Sequence, residues 1–141
     1  MNPRDAAKTL LADVASDRND YRVLEQLLEQ QFAAALQHDA AAVGELNQRI
    51  EVLLARLDAH RRLRPTLAAQ LLGSSKAVSM EAVIDCLPGV PSAALAGWWT
   101  ELQQAVRRCK ELNARNGRLM SSQQEIMQRV LHGESDTYVA D

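Results

Sequence analysis

The 141-residue chain is 47% hydrophobic and 4% aromatic, with six Gly, four Pro and a formal net charge of -2. That length suits one domain, large enough to bury a core without disulfide or metal staples. The charge gives no pull toward nucleic acid or anionic membranes, and no apolar run approaches the ~20 residues that span a bilayer.

Leu and Ala abound and β-branched residues are scarce, which favours helix. The opening MNPRDAAKTL carries acid early and lacks a signal-peptide core. Cys86 and Cys109 lie in helical segments and read as two small buried hydrophobes in a reducing compartment. A soluble, cytoplasmic protein is expected.

Asn2 is placed to cap a first helix, with Pro3 at the first helical position, where a missing N–H costs nothing. Leu10, Leu11, Val14, Tyr21, Leu24, Leu28, Phe32 and Leu36 then recur at helical spacing. The stripe is interrupted from Asp17 to Asp20, so that stretch is expected to be exposed or irregular. His38-Asp39 marks a short connection, and Asp39 can cap a second helix. Val43, Leu46, Ile50, Leu53 and Leu57 form its seam. Pro65 is expected to kink or restart this helix, and Gly73 to end it. A linker follows around a short helix, roughly Ser79 to Leu87, ended by Pro88, Gly89 and Pro91.

Ser92 is expected to cap the last helix, the longest. Its seam runs through Leu95, Trp98, Leu102, Ala105, Cys109, Leu112, Asn116, Leu119, Gln123, Ile126 and Val130, with Gly133 as the stop. About 40 residues would reach about 60 Å. These elements predict an all-α fold: an antiparallel bundle of three long amphipathic helices, with one short helix in the second connection. Residues 1–132 form the bundle domain, and 133–141 a flexible acidic tail.

The last helix holds more than one seam. Trp99, Val106, Met120 and Met127 form a second row, broken by Asn113 and extended by Leu131. At the Trp98-Trp99 end this width reads as core. Toward the C-terminal half, two readings stand side by side. Met120, Ile126, Met127, Val130 and Leu131 serve as core, or as an adaptable surface for helices of more than one partner. Asn113, Asn116 and Gln123 interleave with them, and a seam Asn often fixes register instead.

Chemistry has little to work with. His38, His60 and His132 lie far apart, none in an E-x-x-H pair, and no C-x-x-C, H-E-x-x-H, phosphate loop or G-x-S-x-G occurs. No catalytic residue, cofactor or metal is expected. The basic clusters Arg61, Arg62, Arg64 and Arg107, Arg108, Lys110, Arg115, Arg118 read as solvated faces with i,i+4 acid partners, such as Arg107 with Glu111. They also leave room for an acidic surface on a partner.

The segment LNARNGRLM, Leu112 to Met120, resembles the L-N-x-x-N-G-x-L/I signature in the last helix of FlgN-type flagellar export chaperones. The order of elements is similar along nearly the whole chain: a long first helix, a second ending in RIEVLLARLDAHRRLRPTLAAQLLG, a linker, and a Trp-containing start to the last helix. The resemblance implies a cytoplasmic chaperone of the flagellar type III export system. Such a protein binds C-terminal helical segments of the hook-associated proteins FlgK and FlgL, prevents premature polymerisation and delivers them to the export gate. It implies neither nucleic-acid binding nor membrane insertion, and weak self-association at most.

The family's client-binding region lies toward the C-terminus, so Leu112, Asn113, Asn116, Gly117, Leu119 and Met120 match the signature. Ile126, Met127, Val130 and Leu131 join them on the physical argument above. Relatives often carry a Tyr followed by Gly-containing residues near the end; here Tyr138 is followed by Val-Ala-Asp, and it stands as the position for docking at the gate. The competing architecture is a self-associating coiled-coil adaptor whose wide faces are used up between copies.

Overall fold

The structure is a computed structural model that describes residues 2–86 and 90–140, with side chains described for 2–86 and 92–133. It is all-α: α1 (Pro3–Leu36), α2 (Ala40–Leu72), α3 (Met80–Cys86) and α4 (Val90–Ala140), with no strand among the described residues.

Local chemistry sets most of the helix ends. Asn2 Oδ1 accepts from the Asp5 N–H at 2.9 Å, with Pro3 in the first turn. His38 takes the left-handed conformation (φ 55°) in the turn, and Asp39 Oδ1 accepts from the Ala42 N–H at 3.1 Å to start α2. Gly73 ends α2 at φ 64°, a conformation glycine adopts without strain, and the Ser74 N–H closes back on Ala69 O at 2.9 Å.

Three expected boundaries are corrected. The helix α2 runs through Pro65 without restarting; Pro65 is exposed, so water can serve the carbonyl it leaves without a donor. Ser92 does not cap α4, which begins at Val90; its hydroxyl instead donates to Ile84 O at 2.7 Å and ties α4 to α3. Gly133 does not stop α4, because a lone glycine costs a helix only about 1 kcal/mol against Ala. Pro88 and Gly89, expected with Pro91 to end the short helix, lie outside the described residues, whereas Pro91 falls in the first turn of α4.

Asp17 and Asp20 overturn a further expectation. They are 0% and 7% exposed, inside a regular α1. Arg56 grips Asp20 through two 2.9 Å bonds, and Asp17 meets His60 Nδ1 at 2.6 Å and the Arg64 guanidinium. A carboxylate can be buried when cations and donors surround it, and α2 supplies them. The break in the apolar stripe is therefore a polar seam, not a solvent face. Burial nevertheless pushes the Asp17 carboxyl above its ordinary value, with His60 and Arg64 acting the other way.

Pairings along the helices give their directions. Gln31 meets Asn47, Asp20 meets Arg56 and Asp17 meets His60, so α1 and α2 run antiparallel. Arg18 meets Glu101, Glu25 meets Arg108 and Ala35 meets Gln123, so α1 and α4 run parallel. The short α3 packs against both α2 and α4. Among the described residues no α-carbon of α2 lies within 8 Å of one in α4, so these two helices meet through long side chains such as Arg64 over Trp99 rather than by close backbone approach. α1 is a shared spine, buried on both sides.

Two apolar clusters lie along that spine. One joins Leu24, Leu28, Leu46, Ile50, Leu53, Cys109 and Leu112. The other joins Leu10, Val14, Leu67, Met80, Val83, Leu95 and Leu102, with Trp98 and Trp99 packed on it. The Trp pair is core-facing, as expected, and Arg18 and Arg64 each lie 5.3 Å from one indole. Both cysteines are free; Cys109 is buried as expected, but Cys86 is exposed near the end of α3. No described helix is long and apolar enough to cross a membrane.

Candidate functional site

The parallel register of α1 and α4 decides where the last helix loses its neighbour. Gln123 Nε2 donates to Ala35 O at 2.8 Å, one residue before α1 ends at Leu36. Residues 124–140 of α4 run on past that end, about 25 Å of helix at 1.5 Å per residue. The apolar stripe continues there regardless. Ile126, Met127, Val130 and Leu131 are 56–63% exposed, against 2% for Leu112.

Facing this overhang is the α1–α2 turn. Between them lies a cavity of about 750 Å³, lined on one side by Met120, Gln123, Ile126, Met127, Val130 and Leu131. Ala35, His38, Asp39, Val43, Gly44 and Asn47 line the other. Gly44 presents no side chain to its wall, which keeps the cavity wide. Among the described residues, His38 and Asp39 are its only titratable lining residues; the rest is apolar or neutral.

A polar ladder crosses the molecule just below this cavity. Asn116, 0% exposed, donates from Nδ2 to Leu28 O at 2.7 Å and to Gln31 Oε1 at 2.8 Å. Gln31 Nε2 donates in turn to Asn47 Oδ1 at 2.6 Å. Arg115 donates to Asn116 Oδ1 at 3.1 and 3.2 Å, pairs with Glu29 at 3.2 Å and lies 3.7 Å from the Phe32 ring. These bonds fix α4 along α1 and so fix how much of it overhangs.

The residues singled out in the sequence divide accordingly. Leu112 and Asn116 are buried against α1, and Asn116 bonds α1 as a register residue would, the second of its two readings. Asn113 and Gly117 are exposed but do not line the cavity. Leu119 is half-buried and also off the lining, whereas Met120 is half-buried and on it. Ile126, Met127, Val130 and Leu131 come together on its wall. The side chain of Tyr138 lies outside the described residues. Sequence reasoning missed the opposite wall: Val43 was legible only as seam and His38 only as part of a connection.

The FlgN protein family model matches residues 1–133, from α1 through the overhang as far as Gly133. The chain belongs to the FlgN family. That family is one of flagellar export chaperones rather than enzymes, which accords with a site built of apolar helix surface. No curated protein and no solved structure matches this chain.

Proposed function

We propose that this FlgN-family chaperone works in the cytoplasm and holds the C-terminal helical segments of the hook-associated proteins FlgK and FlgL in the groove between the α4 overhang and the α1–α2 turn. A client held there cannot polymerise early and is carried to the export gate, where Tyr138 docks. The supporting observation is the apolar set Ile126, Met127, Val130 and Leu131, exposed where α1 has ended.

The reading has a physical basis. A cavity of about 750 Å³ with an apolar wall suits the i, i+3, i+4 and i+7 side chains of an amphipathic client helix. Covering four aliphatic side chains already more than half exposed contributes roughly 4–7 kcal/mol, part of which offsets the ordering of a mobile client. Affinity is accordingly moderate, and Met120 and Met127 adapt to either client.

Met127→Asp with Val130→Asp tests it, because both side chains are exposed and the variant keeps the fold. Calorimetric titration with the FlgK or FlgL C-terminal segment is expected to lose more than about tenfold in affinity, with helicity unchanged by circular dichroism. Unaltered affinity rejects this groove, and a tight oligomer indifferent to those segments favours self-association.

A further inference from the structure

A second cleft separates α2 from α4 nearer the middle of the molecule, with a volume of about 340 Å³. Tyr21, Leu57, Leu102 and Val106 form its apolar base, and Trp99 stands at its edge. Among the described residues four cations line it, Arg61 and Arg64 from α2 and Arg107 and Lys110 from α4, and no carboxylate does.

Two of these cations have other uses. Arg64 is held by the buried Asp17, and Arg61 bonds Asp58 at 2.8 Å. Arg107 and Lys110 are exposed and make no ion pair among the described residues; the neighbouring Glu111 turns to Arg108 at 3.8 Å. The i,i+4 pair expected between Arg107 and Glu111 is not formed. Positive charge thus converges from two helices over an apolar base in a chain whose net charge is -2.

We infer that this cleft is a second docking surface, separate from the client groove, for an acidic amphipathic helix of a protein partner: bulky apolar side chains enter the cleft and flanking carboxylates meet Arg107, Lys110 and Arg61. Charge complementarity carries the assignment, since a carboxylate-bearing helix answers both the rim and the base. A nucleic acid answers only the rim. It would want exposed stacking aromatics and a basic domain, whereas Tyr21 and Trp99 are half-buried here. The cavity takes a few side chains, not a helix body, so the partner's backbone lies across its mouth.

The test uses the full chain and a fluorescent synthetic peptide of roughly 18 residues, Leu on one helical face and Glu on the other. Anisotropy titrations are expected to show binding that weakens several-fold between about 50 and about 200 mM salt, as exposed charges are screened. Arg107→Glu with Lys110→Glu is expected to weaken it at least about tenfold while circular dichroism stays unchanged. All of these titrations use the Met127→Asp, Val130→Asp background, which removes the client groove as a second site for a Leu-faced helix and so separates the two surfaces. The inference is overturned if the Arg107/Lys110 variant binds the peptide normally, or if a matched Leu/Lys peptide binds as well. It also falls if single-stranded oligonucleotide displaces the peptide and binds more tightly, or if the chain dimerises and that variant dissociates it.

Discussion

Asn116 offers the sharpest check on how α4 is held. Its side chain donates two bonds to groups of α1, and no solvent reaches it. Asn116→Leu keeps the bulk and removes both donors. The Leu28 carbonyl still serves its own helix, so the main loss falls on Gln31 Oε1, left without this partner beneath a packed helix. Leaving one such acceptor unsatisfied costs about 1–3 kcal/mol, and the lost bond to the carbonyl adds about 0.5–1.5. The expected destabilisation is therefore roughly 2–4 kcal/mol, or about 4–16 °C in Tm for a domain of this size.

The cycle with Gln31→Leu makes the prediction specific. Replacing both polar groups removes the orphaned acceptor, so the double variant is expected to recover about 1–2 kcal/mol relative to the sum of the singles. Urea unfolding followed at 222 nm measures all four proteins. A stable Asn116→Leu single variant, or additive losses in the pair, would refute the idea that this bond anchors α4. Function follows from the same bond: a slide of α4 by one turn along α1 moves the overhang by about 5.4 Å and re-forms the groove elsewhere.

Two further predictions concern titration and reactivity. Cys86 is exposed, while Cys109 is buried, donates to Tyr21 O at 3.5 Å and has its thiol pushed up to about 11, mainly by burial and then by Glu25. At pH 8 only about one Cys109 in a thousand is thiolate, so a thiol reagent should modify Cys86 quickly and Cys109 only on unfolding; equal rates refute that placement. Asp17 should titrate above its ordinary value near 3.8, raised by burial, and half-buried Asp58 below it, lowered by the Arg61 hydrogen bond. Between pH 3.8 and the folded Asp17 value the native state holds more protons than the unfolded one, so this group's contribution to stability falls as pH rises through that window. Carbon-detected NMR titration of the carboxyls checks both directions, and an Asp17 midpoint at or below 3.8 shows that His60 and Arg64 outweigh its burial.

What was legible in the sequence was what local chemistry decides. Asn2, Asp39 and Gly73 act within a few residues of themselves, so their caps could be read directly. Asp17 and Asp20 could not be read, because their burial depends on Arg56, His60 and Arg64, 36 to 47 residues away. The same distance hid the role of Asn116: its spacing placed it in the seam, but only its 2.8 Å bond to Gln31 separates a register residue from a client contact. Ile126, Met127, Val130 and Leu131 were legible as apolar surface. That they stand free depends on where α1 stops relative to α4, a register no single helix encodes. The cleft between α2 and α4 was illegible too, since seam patterns show which faces are apolar and not which pairs of helices close.

The order of residues along α4 argues that the overhang is a working surface rather than a by-product of length. α1 has 34 residues and α4 has 51, so with a parallel register α4 outruns its neighbour. A helix shaped only by folding would carry apolar residues where α1 faces it and polar ones beyond. Here the last hydrogen bonds to α1 come from Asn116 and Gln123, each donating to an α1 carbonyl, while the apolar residues Ile126, Met127, Val130 and Leu131 follow after α1 has ended. Exposed apolar clusters are a solubility liability that soluble proteins keep for recognition. The polar contacts hold α4 without consuming its stripe, and the stripe resumes where α1 no longer covers it, as the proposed client groove requires.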